Sequence, residues 1–132
     1  MSSIVPKICL NAPQDYVTAE PELRRRVCSG CGPRGGLNGL VPETIYGLNI
    51  SEACNIHDWM YAFAEPTVHA KNKADRVFLN NILRIINGKT KGRLLLFLRR
   101  KRALKYYYAV KYFGGPFFWS GKNLKVDEFI CQ

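Results

Sequence analysis

The stretch "SEACNIHDWMYAFA", residues 51–64, puts a thiol, an imidazole, a carboxylate and a phenol within eight positions. At helical spacing Cys54, His57, Asp58 and Tyr61 stand at i, i+3, i+4 and i+7 and share one face. Such a face is ordinarily the buried stripe of an amphipathic helix. A carboxylate there needs a partner, because unpaired burial raises its pKa and neutralises it. The helix is expected to begin near Asn49 or Ser51, where "NISE" sets an Asn three residues before a Glu in the manner of a capping box. It should end before Pro66.

Two more helices are expected downstream. One runs from about Lys71 to Asn87 and stops at Gly88, with Phe78, Leu79, Ile82, Ile85 and Ile86 as its apolar stripe and Asp75 one turn upstream on that stripe. The other covers about 92–113, with Leu94, Phe97, Leu98, Leu104 and Tyr108 on its apolar side. Within it "RRKR" at 99–102 covers a full turn, so at least one of those charges must snorkel or find a partner. Residues 1–27 read as irregular, broken by Pro6, Pro13 and Pro21. Residues 28–50 read as a loop with five glycines between positions 30 and 39, and the aromatic tail after "FGGP" reads as loop. The expectation is an all-α domain spanning 1–132, its motifs at about 28–87 and a basic aromatic part at 89–132.

Charge is distributed unevenly along the 132 residues. Net charge is +10, yet residues 1–75 carry seven basic and eight acidic side chains. Residues 76–126 carry thirteen Lys or Arg and no acid, which makes that half an attractor for an anionic membrane or a nucleic acid. The longest strictly apolar run, "LLLFL" at 94–98, falls far short of the ~20 residues of a spanning helix. The first twenty residues have neither a basic n-region nor an apolar h-region, so a cytoplasmic location is the default expectation.

Two consecutive helices joined by a short loop usually pack antiparallel, which would let His57 meet Asp75. A His–Asp pair fixes the imidazole tautomer and leaves the other ring nitrogen as a general base. Asp58 is a hard oxygen ligand. With carbonyls from a glycine-rich loop it suits Ca2+ better than Zn2+. Together these groups describe metal-assisted hydrolysis. A rival reading takes Cys28, Cys31, Cys54 and His57 as a Cys3His zinc set beside a nucleic-acid-binding basic half. The run "RRKRALKYYYAVKYF" suits phosphate contact and base stacking, whereas Phe117, Phe118 and Trp119 suit a bilayer interface or a core.

The ordered set "CGPRGG" at 31–36, "CNIHDWMY" at 54–61 and "KADRVF" at 73–78 resembles the phospholipase A2 superfamily. That family carries a glycine-rich calcium loop, a helix bearing C-x-x-H-D-x-x-Y, and a second, antiparallel helix bearing an aspartate. The resemblance implies a calcium-dependent hydrolase of a glycerophospholipid acyl ester working at an anionic membrane surface. It makes His57 the base on water, Asp75 its orienting partner, and Tyr61 a hydrogen-bond donor to that aspartate. Asp58 and the carbonyls of Gly30, Gly32 and Gly35 would hold the calcium. The loop is one residue longer than the family pattern, so Arg34 could replace Gly35. A second turn, "NGLVP" at 38–42, resembles the microbial members and would substitute Gly39 and Leu40. The resemblance also implies a Cys31–Cys54 bridge and a Cys28–Cys131 bridge, and it leaves Cys9 unassigned. A single carboxylate ligand implies weak calcium binding, on the order of 10⁻⁴ to 10⁻³ M. A relative that binds lipid without hydrolysing it shares the same motifs.

Overall fold

A computed structural model describes residues 8–28 and 41–119. Within them the chain forms helices α1 (Gln14–Thr18) and α2 (Pro21–Val27), a hairpin of β1 (Thr44–Ile45) and β2 (Leu48–Asn49), and helices α3 (Ser51–Phe63), α4 (Val68–Lys89), α5 (Arg93–Phe113) and α6 (Gly115–Trp119). The protein is mainly helical, as its periodicity predicts. Several local expectations fail, among them the loop read over 28–50, which holds the β1–β2 hairpin. The N-terminal prolines do not abolish helix: Pro21 occupies the first turn of α2, where its missing N–H costs nothing. The tail after Phe113 opens with one further short helix, α6.

The hairpin closes through Tyr46 (φ 47°) and Gly47 (φ 80°), the double positive-φ turn that matches strand twist. It pairs Thr44 with Asn49 and Ile45 with Leu48, and delivers the chain directly into α3. Just ahead of that helix the Asn49 side chain accepts the Ser51 N–H at 2.8 Å, while the N-cap position itself is Ile50 and carries no side-chain cap. Glu52 does not complete a capping box, because its carboxylate takes the Tyr16 hydroxyl instead.

Thr67 starts α4, its hydroxyl accepting the Ala70 N–H at 3.0 Å. Helix α4 begins three residues earlier than expected and runs through Gly88 to Lys89. Gly88 is therefore not a stop. A Cβ there would lie 2.7 Å from the Ile8 side chain, so glycine admits the N-terminal segment against the helix. That segment is pinned by Asn81, which is fully buried: its Oδ1 accepts the Asn11 N–H and its Nδ2 donates to the Asn11 carbonyl.

Helix α4 is the centre of the molecule, with α3 packed on one side and α5 on the other. Both neighbours run antiparallel to it. Tyr61 lies near Lys71 while His57 lies against Phe78, and Lys71 reaches Val110 while Asn87 meets Arg100. The core consists of Ile45, Ile50, Phe78, Ile82, Ile86, Val110 and Phe118, all fully buried. The stripe expected for α4 is inside, with Leu79 at its half-buried margin.

Helix α5 turns the other way. Leu94, Phe97, Leu104 and Tyr108, expected on its core side, are exposed, and Arg99, Ala103, Tyr106 and Val110 are buried. Arg99 is the buried member of the basic quartet. It donates to the carbonyls of Ile45 and Tyr46 and to the Thr90 hydroxyl. Ala103 lets the helices approach closely, and Tyr106 donates to the Thr44 carbonyl. The α5 face is thus chosen by the hairpin's open carbonyls rather than by hydrophobicity alone.

Candidate functional site

The helix of residues 51–63 is amphipathic twice over. Ile56 and Trp59 face a small second core around Tyr16, while Ala53, Cys54, His57 and Tyr61 face α4. That orientation answers the need for a buried imidazole to have a partner. His57, with no exposed surface, places Nε2 at 2.8 Å from Oδ1 of Asp75. Its ring lies between Tyr61 and Phe78, with centroids 4.1 and 4.7 Å away.

Asp75 is the hub. Its Oδ1 also accepts the Tyr61 hydroxyl at 2.6 Å, and its Oδ2 accepts the Lys71 ammonium at 2.8 Å. Burial pushes the Asp75 carboxyl towards the neutral form. Donation from His57, Lys71 and Tyr61 outweighs it and holds the pKa below the ordinary value. Asp75 is therefore an ionised acceptor, and the proton between it and His57 sits on Nε2. Burial, assisted by the Lys71 charge, depresses the His57 pKa despite the carboxylate beside it. The ring is neutral at pH 7, with a lone pair on Nδ1. That atom is buried and has no hydrogen-bond partner among the described residues. Burial first, and then the Asp75 charge, raises the Tyr61 pKa, so its hydroxyl remains a donor.

Lys71 is the member that sequence reading missed. The neighbouring cations Lys73 and Arg76 are exposed. Lys71 stands four residues before Asp75, a spacing that was legible as an ion pair. Its further donations to the carbonyls of Val110 and Lys111 were not. They tie the end of α5 to the Asp75 carboxylate. Gly114 completes this junction: a Cβ there would lie 2.7 Å from the Tyr61 hydroxyl oxygen. Phe118 packs edge-on to Tyr61 at 5.1 Å and is fully buried, so it belongs to the core and not to a bilayer anchor. Phe117 and Trp119 are half-buried against that core.

Asp58 follows His57 in the chain and is buried. The expected carbonyl ligands Gly30, Gly32 and Gly35, and the alternatives Arg34, Gly39 and Leu40, lie outside the described residues, as do Cys31 and Cys131. Among the described residues no three His, Cys, Asp or Glu side chains cluster to hold a metal. A calcium site built from one carboxylate and backbone carbonyls needs no such cluster. Cys54 is disulfide-bonded, so in this state it has no thiolate for a Cys3His zinc set. Cys28 is a free thiol, which removes the Cys28–Cys131 bridge. Its sulfur faces the Asn55 carbonyl at 3.2 Å instead, and burial, then the charges of Asp58 and Glu52, push its pKa up to about 12. Cys9 is also free, and exposed.

Chemically, the arrangement is a neutral imidazole locked in one tautomer by an ionised carboxylate, with its second nitrogen unengaged among the described residues and a buried carboxylate one residue along. Such a nitrogen can take a proton from water, and the resulting imidazolium is stabilised by Asp75. No protein-family model, no curated protein and no solved structure matches the chain.

Proposed function

We propose that this protein is a phospholipase A2-like hydrolase that cleaves an acyl ester of glycerophospholipids with the help of Ca2+. The observation that carries the reading is the buried Nδ1 of His57, which has no hydrogen-bond partner among the described residues, on the ring whose Nε2 is held by Asp75. A merely structural buried histidine is expected to satisfy both nitrogens. Here one is held and the other has no partner among the described residues, which suits a base on water.

The chemistry of the buried Asp58 suits a calcium ion. Asp58 supplies a hard anionic oxygen, and the resemblance assigns the remaining protein ligands to loop carbonyls at Gly30, Gly32 and Gly35. The ion, when bound, would polarise the ester carbonyl and stabilise the oxyanion. His57 would draw the proton from the attacking water through Nδ1 and later return it to the leaving alcohol. Asp75 orients the ring and balances its transient charge, and Tyr61 and Lys71 hold Asp75 in place. A disulfide at Cys54 suits an oxidising compartment, where calcium is also plentiful enough for a weak site. No helix among the described residues is long and apolar enough to cross a membrane, so contact with lipid would be peripheral.

The test is incubation with a mixed-chain glycerophospholipid, with and without calcium, followed by identification of the released fatty acid. Calcium-dependent release of one chain supports the reading. Tightly held zinc in the purified protein, with no ester hydrolysis, would replace it with the metal-finger alternative.

A further inference from the structure

Helix α5 carries two apolar stripes on opposite sides. At 100° per residue the buried Arg99, Ala103, Tyr106 and Val110 centre on one direction. Leu94, Phe97, Leu104, Tyr108 and Tyr112 centre on the direction almost diametrically opposite. Each of these five is between 43% and 72% exposed, and together they line about 27 Å of helix at 1.5 Å per residue. Single exposed apolar residues need no explanation, but a continuous line of them marks a contact surface.

The charges around the line say what it contacts. Lys101 lies within it, Arg93, Arg100 and Lys111 border one side, and Lys105 borders the other. The ammonium groups of the exposed Lys101 and Lys111 lie over the rings of Phe97 and Tyr112, so cation and ring share one surface. A second copy of the same face would bring these cations together with no acid to answer them, since residues 76–126 contain none. A nucleic acid would use the cations and tyrosines but has nothing to offer Leu94, Phe97 and Leu104. An anionic bilayer uses both: phosphates meet the ammonium groups, and the acyl boundary receives the leucines and rings.

We infer that the outer face of α5 is the surface on which this protein lies on anionic lipid, with the helix axis in the plane of the interface. The inference rests on the hydrolase reading for the purpose of the contact, and on the exposed stripe for the contact itself. Lys71 then joins the two, because it bonds to both the last turn of α5 and Asp75.

The experiment is vesicle co-sedimentation of the intact chain in the presence of a chelator, comparing phosphatidylcholine with an equal mixture of phosphatidylcholine and phosphatidylglycerol. Wild type should bind the anionic vesicles at least about tenfold better. The double variant Phe97→Ser/Leu104→Ser should bind them about tenfold or more weakly, with an unchanged circular-dichroism spectrum. Phe63→Ser, an exposed ring on α3, should bind like wild type. Equal binding by the α5 variant, equal loss in Phe63→Ser, or tighter binding to a single-stranded oligonucleotide than to anionic vesicles would overturn the inference. So would a change from dimer to monomer in the α5 variant with vesicle binding intact. A dispersed short-chain phospholipid separates the two proposals. If α5-dependent vesicle binding occurs without hydrolysis of that substrate, the docking face stands and the hydrolase reading falls. If hydrolysis occurs and vesicle binding ignores α5, the reverse holds.

Discussion

The two interfaces of α4 solve the same problem in opposite ways. Towards α3, the helix buries the residues its periodicity nominates, and the polar groups on that stripe pair with one another: His57, Tyr61 and Lys71 all converge on Asp75. Towards α5, the partner helix buries Arg99, Ala103, Tyr106 and Val110, keeps Leu95, Leu96 and Leu98 half-buried, and leaves Leu94 and Leu104 exposed. The first interface is read from hydrophobic pattern. The second is decided by backbone carbonyls of a hairpin more than fifty residues earlier in the chain, to which Arg99 and Tyr106 donate. Hydrophobic periodicity locates a helix, but hydrogen-bond demand from elsewhere can decide which face turns inward.

The comparison breaks most visibly at Asp75. Asp75→Ala should destabilise the fold by about 3–5 kcal/mol, because it strands a buried ammonium at Lys71. Urea denaturation measures this, and a loss under 1 kcal/mol would mean that the Lys71 charge is solvated. Next in size is the contrast within α5. Arg99→Met should cost about 2–3 kcal/mol through the carbonyls it leaves unpaired, whereas Phe97→Ser should stay within about 0.5 kcal/mol. Thermal midpoints of the two variants sharpen or erase the distinction between inner and outer faces.

Acid should act on the α3–α4 interface alone. The folded-state pKa of His57 is depressed from 6.5, so the unfolded chain binds the extra proton first. Stability is therefore full above pH 6.5 and declines as pH falls from there through the folded pKa, with Asp75 adding a further loss below 3.8. The acid limb of any hydrolytic activity should likewise lie below pH 6.5. His57→Phe should flatten the upper part of the stability profile. The smallest effect concerns thiols: Cys9 should react with iodoacetamide before Cys28, whose proton is held to about pH 12. Mass spectrometry of a short labelling course checks the order.

The site's legibility follows the same division. Cys54, His57, Asp58, Tyr61 and Asp75 share helical faces, and periodicity places them at the α3–α4 interface without knowledge of the remaining chain. Lys71 was legible only by half, since its partners at the end of α5 depend on how that helix docks. Gly88 and Gly114 read as punctuation in sequence, yet both are close approaches, to Ile8 and to Tyr61. Asn81 gave no signal, because its role is to bind a segment seventy residues away. Apolar pattern also misjudged α5, where the stripe of Leu94, Phe97, Leu98, Leu104 and Tyr108 reads as core, yet Leu98 is half-buried and the other four lie outside. Contacts within or between adjacent helices are encoded locally, and contacts that close long loops are not.

The central claim is that His57 is a base held by Asp75, and its most direct test is the His57→Gln variant assayed on a phospholipid with calcium present. The account predicts that the variant folds with nearly wild-type secondary structure and that hydrolysis falls by about 10²- to 10⁴-fold. Undiminished calcium-dependent hydrolysis in a folded His57→Gln protein would contradict it.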